Sequence, residues 1–232
     1  MSTPLPPASS ASSTPQAATV KAAAPKRKRH PLTHPIAKPI VFLLCLLPLA
    51  WLFYRGFTNH LGANPAETVI HATGDWTLRF LCITLAVTPV RTWLSQPNLL
   101  RFRRMLGLFT FFYVCLHFLS YGWLDKGFDF AEIAKDIAKR PYILVGTAAL
   151  LLMAPLAATS FNRAIKAMGA RRWQNLHRLI YVIALLGLLH FFWLRSSKNN
   201  FAEVSIYAAV LAVLLGWRVL RWARTRRSRS TA

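Results

Sequence analysis

The chain has 232 residues, of which 54% are hydrophobic, and it carries 29 Lys and Arg against only 7 Asp and Glu, for a formal net charge of +22. So high an apolar fraction together with so high a charge argues against an ordinary soluble domain. The basic residues stand in short blocks between apolar runs rather than along one face of a soluble domain, which argues against a nucleic-acid-binding protein and indicates a membrane protein.

Residues 1–35 precede the first apolar run and are rich in Ala, Ser, Thr and Pro, which predicts a disordered basic tail rather than a folded domain. The first run lies far from the N-terminus and is followed by YRGFTNH instead of a small-residue cleavage site. We therefore expect it to remain as a membrane anchor and not to act as a secretory signal peptide. A second basic tail is predicted at 221–232, after a membrane domain at 36–220.

Six apolar runs follow one another within that domain, each close to the ~20 residues that a helix needs to cross a ~30 Å hydrocarbon core. Pro89 predicts a kink near one end of the second run. The pattern predicts an all-α integral membrane bundle of six transmembrane helices, at about residues 36–54, 76–94, 105–124, 142–158, 174–194 and 201–220.

The charges give this bundle an orientation. If the N-terminus is cytoplasmic, the inner segments 1–38, 91–104, 159–172 and the tail from Arg218 hold 20 of the 29 Lys and Arg and not one acidic residue. All seven acidic residues then fall in outer loops or at outer helix ends. The excess of Lys and Arg on one side predicts that both termini are cytoplasmic.

Three of the seven histidines, His117, His177 and His190, fall inside predicted helices. Ionisable side chains at membrane depth are costly and usually face a bundle interior, and the imidazole nitrogen is a common axial ligand of haem iron. His30, His34 and His60 are expected to be solvated. His71 lies just before the second predicted helix and is a further candidate, at the membrane interface.

The depths of the three histidines separate them. At ~1.5 Å per residue, His117 and His190 lie about 18 and 25 Å from the inner ends of their helices, whereas His177 lies only about 6 Å in. The sequence therefore predicts one haem held between His117 and His190. At ~100° per residue, His177 does not share a helix face with His190, so a second haem, a quinone or flavin contact and a plain interfacial role all stay open for it.

Two further side chains are candidates for the same pocket. Arg79 lies about one turn inside the outer end of the second helix, where it either pairs a haem propionate or extends to the lipid headgroups. Tyr113 precedes His117 by four residues and so shares its helix face.

Four segments of the chain form a recognisable set: RRMLGLFTFFYVCLHFLSY, AKRPYILVG, LAATS and RRWQNLHRLIYVIALLGLLHFFW. Together they are similar to the haem-binding membrane subunit of the bacterial MsrPQ methionine sulfoxide reductase system, the MsrQ (YedZ) family within the ferric-reductase-like transmembrane superfamily. The resemblance covers about residues 40–220.

This resemblance implies an electron conduit in the bacterial inner membrane that carries b-type haem and is associated with FMN. It implies electrons arriving from the quinone pool or a cytoplasmic flavin reductase and leaving to a periplasmic molybdopterin enzyme that repairs oxidised methionine in envelope proteins. The family's motif histidines map onto His117, His177 and His190. Alternatives that stay open are a ferric-reductase-like or quinol-oxidising cytochrome with another acceptor, and a small-solute transporter.

Overall fold

The computed structural model describes residues 34–196 and 201–230, so the predicted tail at 1–35 falls almost wholly outside the described residues, as does the last part of the tail at 221–232. The described chain is helical and contains no strand, as predicted. Its α-helices are α1 (Ala37–Phe57), α2 (Pro65–Trp93), α3 (Leu100–Ser120), α4 (Phe130–Lys139), α5 (Pro141–Ala158), α6 (Asn162–Met168), α7 (Ala170–His177), α8 (Leu179–Ser196) and α9 (Ala202–Ser230).

Five helical stretches of the described chain are long and apolar enough to cross a membrane: Ala37–Phe57, Pro97–Asp125, Pro141–Ala158, Ala170–Ser196 and Ala202–Arg227. The predicted second span lies within α2, which is not among them. This helix carries several charged side chains, but it packs against α1, α3, α8 and α9. A central helix exposes little surface to lipid and tolerates polar residues that face the bundle. The count of six spans stays a prediction.

The start of α2 differs from the sequence expectation. The helix begins at Pro65, about ten residues earlier than predicted, so that His71 lies inside it. Asn64 caps this end, because its side chain accepts a hydrogen bond from the backbone N–H of Glu67. An Asn before a Pro at the first helical position, with Glu two residues later, is a normal helix start.

Three helices of the described chain contain an internal proline, Pro48 in α1, Pro89 in α2 and Pro155 in α5, and at the first two a side chain of a neighbouring helix bonds the affected backbone groups. In α1, the break lies beside Pro48, where the Tyr113 hydroxyl from α3 donates to the carbonyl of Cys45 at 2.9 Å and accepts from the N–H of Leu49 at 3.2 Å. These two backbone groups are four residues apart and would hydrogen-bond to each other in an uninterrupted helix. The hydroxyl is inserted between them and links α3 to α1.

The second break is in α2, where Pro89 has no N–H to donate to the carbonyl of Leu85. Arg218 of α9 supplies the missing donor, because its guanidinium donates to that carbonyl and lies 5.6 Å from the ring centre of Tyr181. Backbone groups freed by proline within a membrane must find another partner. Arg218 therefore ties α9 to the central helix.

Arg218→Leu is expected to lower the free energy of unfolding by about 1–3 kcal/mol, because it leaves the Leu85 carbonyl unpaired. The measurement is thermal unfolding of the detergent-purified protein. In a Pro89→Ala background the cost should shrink, since an alanine at that position restores an N–H for the same carbonyl. Arg221→Leu is the matched control, because the Arg221 guanidinium donates to the exposed Thr92 hydroxyl and lies 5.2 Å from the ring centre of Trp217. Equal losses for Arg218→Leu and Arg221→Leu would contradict this account.

The segment between α3 and α5 was predicted as an outer loop, but it contains a π-helical turn at Tyr121–Asp125 and the amphipathic α4. Lys126 holds this segment together, with its Nζ 2.9 Å from Glu132 and 3.0 Å from Asp136. Tyr121 donates to Asp136 at 3.1 Å, and Arg140 lies 3.3 Å from the same carboxylate. Hereafter the end of the bundle that carries α4 is called the outer end.

These contacts predict a pH dependence. Desolvation opposes the shift, but hydrogen bonds from Lys126 and Tyr121 and the charge of Arg140 lower the pKa of Asp136. Hydrogen bonds to Glu132 and Asp136 raise the pKa of Lys126. The stabilisation from Asp136 is present above its unfolded pKa of about 3.9 and is lost as the pH falls below it. That from Lys126 is present below about 10.4 and is lost as the pH rises beyond it.

We therefore expect the thermal unfolding midpoint to be level between about pH 5 and 9 and to fall on the acidic side. Asp136→Asn should lower the midpoint at neutral pH and flatten its acidic decline. An unchanged acidic decline in Asp136→Asn would assign that decline to other carboxylates.

Candidate functional site

A cavity of about 540 Å³ opens at the outer end between α2, α3, α5 and α8. Its deep end is lined by apolar side chains, among them Leu81, Val114, Met153 and Ile183. Polar side chains line its mouth: His71, Asp75, Asp125, Arg140 and Arg195. The cavity is therefore suited to an amphipathic ligand with an apolar body and a polar edge.

His117 of α3 and His190 of α8 face each other in this cavity, with ring centres 6.1 Å apart and ring planes at 76°. A metal–imidazole bond is about 2 Å long and each nitrogen lies about 1 Å from its ring centre, so two imidazoles on opposite sides of one metal ion have ring centres about 6 Å apart. The observed separation fits that requirement.

The hydrogen bonds of the two rings fix which nitrogen is available. His117 Nδ1 lies 2.9 Å from the carbonyl oxygen of Ile70, and His190 Nδ1 lies 2.7 Å from that of Tyr142. A carbonyl oxygen only accepts, so each Nδ1 carries a proton and each neutral ring keeps its lone pair on Nε2. Donation from the far nitrogen to a backbone carbonyl is the usual support of a metal-bound histidine.

Glycines make room for both rings. A Cβ on Gly146 would lie 2.8 Å from His190 Nδ1, and a Cβ on Gly74 would lie 3.0 Å from His117 Cε1. The first of these distances is below any normal contact, so α5 can approach His190 only because residue 146 has no side chain. Neither glycine was singled out from the sequence. The only signal was an isolated glycine inside an otherwise regular helix.

The donor set favours a porphyrin over a bare metal ion. Across the described residues, no group of three or more His, Cys, Asp and Glu side chains is placed to bind a metal. Two axial imidazoles are enough for haem iron, since the porphyrin supplies the other four ligands. The residues of this cavity therefore fit haem.

The structure places the other predicted site residues elsewhere. Arg79 does not line the cavity; its Nε donates to the Tyr207 hydroxyl at 3.2 Å and its guanidinium lies 4.7 Å from the ring centre of Trp76. Tyr113 shares a helix with His117 but points to α1, where it repairs the break beside Pro48. Two arginines that do line the cavity, Arg140 and Arg195, were not predicted.

His177 lies on α7, because the predicted fifth helix is divided at Arg178. It borders a second cavity of about 290 Å³ nearer the inner end, together with Arg103, Arg104 and Arg178. Its ring stacks on Trp173 at 4.0 Å, and its Nε2 lies 3.2 Å from the Thr159 hydroxyl. No other histidine of the described chain lines this inner cavity.

The two cavities adjoin. Met153 of α5 lines both of them, and its side chain is buried. Met153 is thus shared between the lining of the cavity with the histidine pair and that of the cavity with His177.

Comparison with known proteins matches the part of the chain that contains these two cavities. A family model described as the ferric reductase like transmembrane component matches residues 73–188, which include His117 and His177 and end two residues before His190. The chain is 67% identical to a protein of Polaromonas naphthalenivorans over 84% of this chain and 90% of the relative. It is 57% identical to one of Ralstonia nicotianae, over 79% and 86%. A protein of Caulobacter vibrioides is 44% identical, over 88% and 97%. All three bear the name protein-methionine-sulfoxide reductase heme-binding subunit MsrQ.

Proposed function

Because this chain belongs to the MsrQ family of haem-binding subunits and to the ferric-reductase-like transmembrane proteins, we propose that it binds haem b between His117 and His190 and conducts electrons across the bacterial inner membrane. The observation that carries this proposal is the pair of facing imidazoles, 6.1 Å apart, each held by a backbone carbonyl.

The chain's own residues have three tasks in this proposal. The Nε2 atoms of His117 and His190 would bind the iron, and the carbonyls of Ile70 and Tyr142 hold both rings in the tautomer and orientation this requires. The apolar deep end of the cavity keeps water away. Haem bound in this way supplies one-electron redox chemistry. With both imidazoles bound to it, the iron would pass electrons on and would not bind a substrate, so methionine sulfoxide would be reduced on the partner subunit.

The proposed topology has six membrane spans, with α2 as the sixth and both termini in the cytoplasm. Outward-facing apolar side chains on the peripheral helices support it: Leu43 and Phe53 of α1, Leu151 of α5 and Val213 of α9 are each at least 60% exposed. Surfaces of this kind suit lipid rather than water. The membrane domain is 36–220, flanked by basic tails at 1–35 and 221–232.

Electrons arrive from the quinone pool or from a cytoplasmic flavin reductase in this proposal, at the basic inner cavity that contains His177. That cavity takes a second haem, FMN or the donor itself, because Arg103, Arg104 and Arg178 suit an anionic group. Electrons leave at the outer end to a periplasmic molybdopterin subunit, MsrP-like, that reduces methionine sulfoxide in envelope proteins.

The test is reoxidation of the reduced protein. The purified chain is reduced anaerobically, and its reduced haem absorption is followed after addition of the periplasmic catalytic subunit and methionine sulfoxide. Rapid reoxidation that requires both additions is expected. A haem that stays reduced with both, but is reoxidised by ferric citrate, would favour a ferric-reductase-like acceptor instead.

A further inference from the structure

We propose that Arg195 binds a haem propionate at the outer mouth of the cavity, with Arg140 as the second cation at that mouth. This inference rests on the proposed haem binding and adds to it the groups that would hold the carboxylates. Arg195 lies at the end of α8 and Arg140 directly before α5. Neither side chain is one of the two proposed iron ligands.

The first observation is an unpaired donor. Arg195 Nε is buried and has no hydrogen-bond partner among the described residues. The other side of the guanidinium is occupied, because Nη2 donates to Glu203 at 2.9 Å. The side chain is only 17% exposed and lines the cavity. Buried donors in folded proteins nearly always have a partner, so this nitrogen indicates an acceptor that the described residues do not provide.

The second observation is the polarity of the cavity. Apolar side chains line its deep end, and its charged groups lie at the mouth. A haem has an apolar body and two carboxylates on one edge, so its carboxylates belong at the mouth. Arg140 and Arg195 are the only Lys or Arg side chains that line the cavity within the described ranges.

Acidic side chains at this mouth would oppose the binding of a propionate, so binding there requires the two arginines. Glu67, Asp75 and Asp125 also line the cavity and would repel a propionate. Lys126 lies 3.6 Å from Asp125 and reduces that repulsion. Arg140 retains capacity for a further acceptor, since its contacts are a hydrogen bond from Nη1 to the Tyr142 hydroxyl and an ion pair between Nε and Asp136. Arginine presents five donors and binds carboxylates in a bidentate way.

The experiment compares two forms of the ligand. Haem-free protein, purified in detergent, is titrated with haem b and with its dimethyl ester, whose carboxylates are uncharged and esterified. The wild type is expected to bind haem b about tenfold or more tightly than the ester, the ratio typical of a charged hydrogen bond. Arg195→Gln should lower this ratio about tenfold by weakening haem b alone, and Arg140→Gln should lower it less.

The matched control is Arg79→Gln, which removes an arginine of α2 that does not line the cavity. It should keep the wild-type ratio. Glu203→Gln breaks the ion pair of Arg195 while retaining its guanidinium, and it too should keep the ratio. Arg195→Lys should retain part of the preference, which keeps the test informative should Arg195→Gln prove unstable.

The outcomes separate the two proposals. A wild type that binds neither haem b nor the ester would overturn the proposed function. A wild type that binds both equally, or an Arg195→Gln variant that weakens both equally, would overturn only the role of Arg195. A ratio lowered by Arg79→Gln and not by Arg195→Gln would transfer that role to Arg79.

Discussion

Replacing either His117 or His190 with Ala is expected to remove the haem from the outer cavity. Each substitution deletes one axial nitrogen and leaves the ring opposite without its counterpart. Loss of only a supporting hydrogen bond costs metal sites about 10–100-fold in affinity, so loss of a ligand should cost more. The measurement is haem per chain in protein purified in mild detergent, determined after extraction as the pyridine complex.

His177→Ala is the matched control for this experiment. It removes an imidazole of the same chain from the inner cavity, which the histidine pair does not line. The outer haem should survive it, and any haem lost would be a second one. Full haem content in His117→Ala or His190→Ala would contradict the pairing, and complete loss in His177→Ala would do so as well.

Adding a single methyl group to α5 should weaken haem binding nearly as much. In Gly146→Ala the new Cβ would lie 2.8 Å from Nδ1 of His190 and 2.9 Å from its Cε1. Either the ring or the helix must move, and overpacking of this kind costs about 1–3 kcal/mol. A moved ring also breaks its hydrogen bond to the Tyr142 carbonyl. We expect at least about tenfold weaker haem binding, measured by haem titration.

The control for this substitution is Gly216→Ala in α9, where an added Cβ meets no atom of the described residues within 4 Å. The two variants make the same chemical change in membrane helices. Gly216→Ala should bind haem as the wild type does. If both variants bind haem normally, the close packing of α5 against His190 does not hold in the protein.

The sequence was enough to single out the histidine pair, because helix rise and the apolar boundaries place His117 and His190 at similar depth. The contacts of side chains near this pair were harder to predict. Tyr113 shares the helix face of His117 by spacing, yet its hydroxyl is engaged by α1. Helix periodicity says which residues share a face, and it does not say which neighbouring helix packs against that face.

The residues at the cavity mouth could not be predicted from the sequence, for a related reason. Arg140 and Arg195 stand 55 positions apart, and only the packing of α5 against α8 brings both to one cavity. Gly74 and Gly146 depend likewise on the approach of a second helix. The start of α2 was different, since Asn64, Pro65 and Glu67 form a local signal that the apolar pattern alone did not use.

The most direct test of the account is a reduced-minus-oxidised optical spectrum of the purified wild-type protein, with haem quantified per chain. We predict a b-type spectrum with at least one haem per chain, unchanged on exposure of the reduced protein to carbon monoxide, because two imidazoles would occupy both axial positions. A colourless preparation that stays colourless after haem is supplied would contradict it.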